Sequence, residues 1–325
     1  MRDVIGIGNA MVDVVTQVED DFLVKNDLVK GGMVLIDIEA SDRIYKDITY
    51  SKRMSGGSVG NTMVGLASLG GTGSYVGKVS DDFLGCEFRK DMDDIGIVFD
   101  TPASGTGRST AICLVFVTKD GQRSMATYLG SCVELSPVDI CPQMIEDHGI
   151  TYIEGYLWDA PEAKEAIIKS ATIAHKNNRK VALSLSDSFC VDRHRNSFKE
   201  LILNHVDVLF ANELEIQSLY EESDLSKSIQ CAGNNAALVA ITLGARGSIV
   251  VSGDSEYVIG AVRVPQVIDT TGAGDLFAAG FLFGITHGYD PKTSGMIGAA
   301  CSGEIIGHFG ARPECNLSGI VEHLL

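Results

Sequence analysis

No run of lysines or arginines occurs in this chain, and none of its eight cysteines stands in a C-x-x-C pair. With a formal net charge of −17, the first absence argues against nucleic acid or an anionic membrane as partner, because such binding needs a basic stripe. Cys86, Cys113, Cys132, Cys141, Cys190, Cys231, Cys301 and Cys315 are scattered, mostly in apolar contexts. They read as reduced core residues, not disulfides or zinc ligands. The seven histidines are dispersed too, none at H-x-x-x-H spacing beside a glutamate, so a histidine-bound metal is not expected. No apolar run could span a bilayer, and Met1-Arg2-Asp3 carries an acid where a signal peptide needs a basic region. A cytoplasmic protein is expected. Internal repeats and low-complexity linkers are also missing. The rest of the composition, 45% hydrophobic and 21% charged over 325 residues, suffices for a substantial core and excludes disorder.

What is present is an alternation of strands and helices. Apolar runs at Val4 to Gly8, Ser74 to Val79, Ile150 to Ile153, Val181 to Leu185, Val206 to Phe210, Leu238 to Thr242 and Ser248 to Val251 read as strands. Helical spacing appears at 62–69, 83–95, 163–175, 197–203, from Glu213, at 273–284 and at 294–306. Repeated βα units predict an α/β protein with a mainly parallel sheet covered on both faces. Two stretches break the rhythm, 14–37 and 104–128, the second with a hairpin signal at 110–128. They predict a small β element set apart from the main sheet and inserted into a single domain spanning 1–325.

The most informative stretch is Asp269-Thr270-Thr271-Gly272-Ala273-Gly274-Asp275, followed by the apolar Leu276 to Leu282. Glycines permit a tight turn with bare N–H groups, and the helix that follows adds its dipole, which together make a site for a phosphate or a developing anion. Asp275 stands beside that site. As a first-turn acid it could simply cap the helix, but a cap does not require the bare Gly-Ala-Gly. A second glycine-opened helix start lies at Gly56-Gly57-Ser58-Val59-Gly60-Asn61.

Other motifs fail. Gly6-x-Gly8 lacks the third glycine of a dinucleotide fingerprint, and Gly77-Lys78 lacks the glycine and hydroxyl of a phosphate loop. Gly56-x-Ser58-x-Gly60 satisfies the nucleophile-elbow pattern, yet Tyr50-Ser51-Lys52-Arg53 is too polar for the buried strand that such an elbow crowns. Asp91, Asp93 and Asp94 point in different directions around a helix and make no metal site.

Asp269 to Asp275 together with Gly56-Gly57-x-x-x-Asn61 resembles the two signatures of the ribokinase-like, or PfkB, carbohydrate kinases, over Val4 to about Pro313. Gly8 to Asp13, the Asp21 to Leu23 segment and Arg123 to Gly130 are most similar to that family's adenosine-kinase branch. The resemblance implies a three-layer α/β/α sandwich with a small β-sheet lid over the substrate, the lid falling on 14–37 and 104–128. It implies ATP and Mg²⁺ as cofactors and a nucleoside or sugar as substrate, phosphorylated on a primary hydroxyl. By matching motif, Asp275 is the general base, with Gly272, Ala273 and Gly274 as the anion hole. Asn9, Asp13, Gly56, Gly57 and Asn61 hold substrate hydroxyls, and Arg123 is a lid arginine near the phosphates.

The same resemblance assigns Asn212 and Glu215 to Mg²⁺ through water, Asn212, Thr242, Gly244 and Gly247 to the nucleotide, and Asp269, Thr271 and the Gly310-Ala311-Arg312 segment to a monovalent cation such as K⁺. Taken alone, Asn212 and Glu215 would be an ordinary helix cap. Glu154 departs from the adenosine branch: a charge there suggests bonds to sugar hydroxyls, while Tyr156 and Trp158 nearby could stack on a base. Ribose, fructose and 2-keto-3-deoxygluconate kinases therefore stay open as alternatives, as does a non-catalytic sensor. Exposed lid strands could also pair across a two-fold axis into a homodimer.

Overall fold

The computed structural model describes residues 1–49 and 52–324. Its strands are β1 (Arg2–Ile7), β2 (Met11–Gln17), β3 (Met33–Leu35), β4 (Lys52–Gly56), β5 (Gly73–Val76), β6 (Ala111–Val117), β7 (Arg123–Tyr128), β8 (His148–Glu154), β9 (Lys180–Ser184), β10 (Val208–Asn212), β11 (Leu238–Thr242), β12 (Ser248–Ser252) and β13 (Ser255–Ile259). The helices are α1 (Asp20–Lys25), α2 (Ile38–Lys46), α3 (Ser58–Ser68), α4 (Phe83–Asp94), α5 (Pro142–Glu146), α6 (Pro161–Lys176), α7 (Ser188–His205), α8 (Glu213–Tyr220), α9 (Leu225–Asn235), α10 (Ala273–Thr286), α11 (Pro291–Ile305) and α12 (Leu317–Val321).

The large sheet runs β13-β12-β11-β10-β9-β8-β1-β5. It is parallel from β5 to β11, while β12 and β13 add an antiparallel edge. Alternation along each strand explains its two covered faces. Val4, Tyr152, Ala182 and Phe210 join one core with α3, α10 and α11. Ile5, Ile153, Leu183 and Leu209 join the other with α6, α7, α8 and α9. Each large apolar side chain so buried contributes about 1.5–3 kcal/mol. The predicted α/β/α sandwich with a mainly parallel sheet is what forms.

A second sheet, β3-β7-β6-β2-β4, carries its own small core of Val14, Leu23, Ile44, Leu114 and Phe116 under α1 and α2. It begins at Met11 rather than residue 14, and residues 104–110 add only the isolated bridge of Ser104 to Ser80. It also takes in β4, which the polar sequence concealed because that strand lies at the sheet edge with Lys52 and Arg53 exposed. Tyr50 and Ser51 of that polar stretch lie outside the described residues. Among the described residues, no helix is long and apolar enough to cross a membrane. The cysteines divide evenly, with Cys113, Cys132, Cys190 and Cys301 buried and Cys86, Cys141, Cys231 and Cys315 exposed. The expectation of mostly core cysteines therefore holds for only half of them.

Candidate active site

In a parallel sheet, the polar residues that leave the strand carboxyl ends share one rim, where ligands bind. Asn9 follows β1, Glu154 ends β8, Asp187 follows β9, Asn212 ends β10 and Thr242 ends β11. Two helix starts converge on the same rim. α10 opens at Gly272, whose φ of 75° places it in the left-handed region that glycine adopts freely. α3 opens at Gly57, φ 83°, where a Cβ would stand 2.2 Å from the Asn9 carbonyl. The two helices touch where a Cβ on Gly65 would lie 2.6 Å from Leu276 and 2.7 Å from Ala279. A bulkier residue there would push the two helix starts apart.

That approach delivers the central contacts. Ser58 donates its hydroxyl to Asp275 Oδ1 at 2.7 Å, and Asn61 donates Nδ2 to Asp275 Oδ2 at 2.9 Å. Thr62 ties the Asp275 carbonyl to α3 at 3.1 Å. Burial pushes the Asp275 carboxyl up to about 6, while those two hydrogen bonds and the charge of Arg312 pull it back. A carboxylate oriented by two donors and poised near neutrality can accept a proton from a hydroxyl. Ser58 is thus a donor to a carboxylate, with no histidine base beside it among the described residues, which removes the nucleophile-elbow reading.

Beside Asp275, two acceptors face the rim. Asn61 is 5% exposed, and its Oδ1 has no hydrogen-bond partner. Asp13 packs on Gly56, where a Cβ would come within 2.4 Å of both carboxylate oxygens. Gly56 therefore makes room for Asp13 instead of meeting a ligand itself. Burial raises the Asp13 carboxyl to about 7 against the charge of Arg312, with the Asp275 charge raising it and Arg123 lowering it. A buried acceptor left unpaired is costly, so Asn61 Oδ1 suits a hydroxyl group of a bound molecule, and the half-buried Asp13 carboxylate lies beside the same base.

The anion-hole loop is held by Asp269. Its Oδ1 accepts from Thr271 N at 2.9 Å and Thr271 Oγ1 at 2.6 Å, its Oδ2 accepts from Gly310 N at 3.0 Å, and Arg123 Nη1 forms an ion pair with Oδ1 at 3.1 Å. The Asp269 carboxylate, expected with Thr271 at a monovalent cation, takes three hydrogen bonds here and faces a guanidinium. Arg123, expected near the phosphates, lies beside the anion-hole loop with Nη1 paired to Asp269. Gly274 has open space where a side chain would stand. Ala273 donates to Thr270 O over a long 3.3 Å, and its carbonyl accepts from Ser302 at 2.6 Å.

Glu154 is corrected outright. It is 1% exposed, Oε1 accepts from Asn9 N at 2.9 Å and Asn9 Nδ2 at 2.6 Å, and Oε2 accepts from Val59 N at 3.0 Å. It pins the end of β1 to the first turn of α3, so both of its oxygens are engaged by the protein. Trp158 is core as well: its Nε1 donates to Ser197 at 2.8 Å and its ring stacks on Phe198 at 5.8 Å. Tyr156 remains half-buried near the rim.

Asn212 and Glu215 form a reciprocal capping box, with Asn212 N to Glu215 Oε2 at 2.8 Å and Glu215 N to Asn212 Oδ1 at 2.9 Å. Burial lifts Glu215 to about 7, and the charge of Asp187 on the neighbouring strand end adds to the rise. Among the described residues, no three His, Cys, Asp or Glu gather as a metal cage. Each carboxylate oxygen still has a lone pair to offer a water, and two adjacent acids welcome positive charge. The donors therefore fit a hydrated Mg²⁺ held mainly by phosphates, which keeps several of its waters.

Thr242 is half-buried at the end of β11, and Gly244, φ 58°, has open space around it. A Cβ on Gly247 would fall 2.0 Å from the Ile259 carbonyl and 2.7 Å from Ala261 N, so this loop lies against the strand end that leads to the anion hole. There a cavity of about 530 Å³ is lined by Ile259, Val262, Met296, Ala299, Gly303 and others. Sequence reading missed it, because its walls come from three separate segments and carry no motif, Lys292, Glu304 and His323 lying among ordinary apolar residues. Arg312 was read only as part of a segment, yet it lies within the electrostatic reach of Asp13, Asp91 and Asp275. Its Nε donates to Ser55 O at 2.8 Å.

Comparison with known proteins agrees with this geometry. The pfkB family carbohydrate kinase model matches residues 25–317. The adenosine kinase from Sinorhizobium meliloti has a similar structure, with TM-score 0.93 and 44% identity over 100% of this chain and 99% of that one. A probable sugar kinase from Rhizobium etli aligns with TM-score 0.94 and 42% identity, again over 100% and 99%. A 5-dehydro-2-deoxygluconokinase from Listeria innocua is 26% identical over 87% of this chain and 90% of its own. The chain belongs to the pfkB family of carbohydrate kinases, ATP-dependent phosphotransferases that act on a hydroxyl of a sugar or nucleoside.

Proposed function

We propose that this kinase phosphorylates the primary hydroxyl of a ribonucleoside, adenosine first among them, with Asp275 as general base. The observation that carries the reading is the Asp275 carboxylate, held by Ser58 and Asn61 in the first turn of a glycine-opened helix and flanked by the unpartnered Oδ1 of Asn61 and the carboxylate of Asp13. On this reading Asp275 takes the proton as the substrate oxygen attacks the γ-phosphorus. The N–H groups of Gly272 and Gly274, that of Ala273 with its long bond to Thr270, and the helix dipole hold the charge that develops. Such a reaction needs positioning and charge neutralisation more than covalent chemistry. Mg²⁺, when bound, neutralises phosphate charge; Asn212 and Glu215 would hold it through its waters.

Asp13 and Asn61 suit a diol, while Asn9 is oriented for the same group by Glu154. The 530 Å³ cavity beside Gly247 and Ser302 suits the base of the nucleotide. The second sheet supports a nucleoside over a bare sugar and would cover it as a lid. Directly paired residues share a face. One row reads Leu35, Thr127, Cys113, Asp13, and the next reads Met33, Met125, Val115, Val15. The polar end at Asp13 thus continues into an apolar face that ends in the exposed Met33 and Leu35, a match for a ribose joined to a planar base. A sugar kinase is the second reading, since the same diol acceptors serve a free sugar. A sensor would not need the oriented carboxylate.

An ADP-release assay over nucleosides, ribose, fructose and ketodeoxysugars, with and without Mg²⁺, tests the proposal. Turnover led by adenosine and dependent on Mg²⁺ is expected. Turnover confined to free sugars would overturn the substrate assignment, and none with any acceptor would overturn the catalytic one.

A further inference from the structure

We propose that the Arg123 guanidinium serves as the resident cation of the anion-hole loop, so that this kinase works without a bound monovalent cation. The inference rests on the reading of Gly272 to Gly274 as the anion hole, and goes beyond it.

The geometry is direct. Asp269 is 7% exposed, and its carboxylate is the fastening point of the loop: it holds Thr271 by backbone and side chain and pulls in Gly310 from the C-terminal segment. That segment is packed closely enough that a Cβ on Gly272 would stand 2.9 Å from Ala311 Cα. A carboxylate so buried needs a counter-charge. Arg123, at the start of β7, supplies it at 3.1 Å with a side chain only 21% exposed. Asp13 lies within the electrostatic reach of the same guanidinium. Asp269 Oδ1 already takes two hydrogen bonds and the ion pair, and Oδ2 takes a third hydrogen bond from Gly310. An alkali ion there would also stand beside a fixed positive charge. The counter-charge arrives on the second sheet, so the sheet and the hole share one ion pair.

The test needs no variant to begin. At constant ionic strength, choline chloride is exchanged for KCl, and the thermal midpoint and kcat/KM of the wild-type enzyme are followed together. Neither is expected to change by more than the choline control. A midpoint or kcat/KM that climbs and saturates with K⁺ would overturn the proposal. In Arg123→Ala, kcat is expected to fall about 100-fold, and K⁺ or free guanidinium should raise both kcat and the midpoint. Arg123→Lys keeps the charge and should stay insensitive to K⁺. An Arg123→Ala enzyme with full kcat would contradict the assignment. The thermal midpoint reads cation binding without turnover, so a failure of the kinase reading would show in the assay and leave this arm interpretable.

Discussion

Removing the Ser58 hydroxyl gives the sharpest prediction, because that hydroxyl donates to the candidate base. Asp275 must be ionised to accept a proton, so activity exists above its ionisation and falls about tenfold per pH unit below it. For the wild type that acid limb should lie near pH 6, where burial has raised the carboxyl from 3.8. The bond from Ser58 at 2.7 Å favours the charged form, and a hydrogen bond to a charged group is worth about 1.5–3 kcal/mol. At 1.36 kcal/mol per unit, Ser58→Ala should move the limb up by about one to two units. The measurement is kcat/KM against pH for both enzymes. Well above the limb, the variant should retain much of the wild-type rate. A limb that does not move would refute Asp275 as the titrating base, and loss of activity at every pH would point to Ser58 as a nucleophile. Asp13 also titrates near 7, but Ser58 does not touch it, which keeps the two assignments apart.

Gly272→Ala should lower both stability and kcat, since φ of 75° and a Cβ 2.9 Å from Ala311 Cα strain the loop by about 1–3 kcal/mol; chemical denaturation together with steady-state kinetics checks it. Glu154→Gln should raise KM more than it lowers kcat, because it misplaces Asn9 without touching Asp275, and an unchanged KM would count against that role. Stability should fall as pH rises from the unfolded carboxyl values of 3.8 and 4.5 through about 7. Asp13, Glu154, Glu215 and Asp275 are all raised in the fold, so the native state binds more protons there than the unfolded chain. His148 and His205, lowered by burial, oppose this with only two groups. A thermal midpoint that climbs steadily over that interval would contradict the sign.

The sheet order was legible because buried parallel strands are continuous apolar runs, and the helix starts were legible because glycine marks them. What escaped reading was polar or sparse. β4 is an edge strand, β13 keeps only Ile259 buried, and α9 buries Ser228, Ile229 and Ala232 alone. The site residues were identified by motif, but motif does not reveal a partner. Glu154, Arg123 and Asp269 were read as facing ligands; in the fold Glu154 serves Asn9, and Arg123 and Asp269 serve each other. Arg312 was read only within a segment, because its effect on Asp13 and Asp275 needs β4 and the C-terminal segment to meet, which no local pattern shows.

The account turns on one carboxylate, and Asp275→Asn tests it most directly. ADP release and ATP binding by calorimetry should be measured on the same preparation. The account predicts that phosphoryl transfer falls by several orders of magnitude while ATP still binds with nearly wild-type affinity. Turnover that survives the substitution would contradict it.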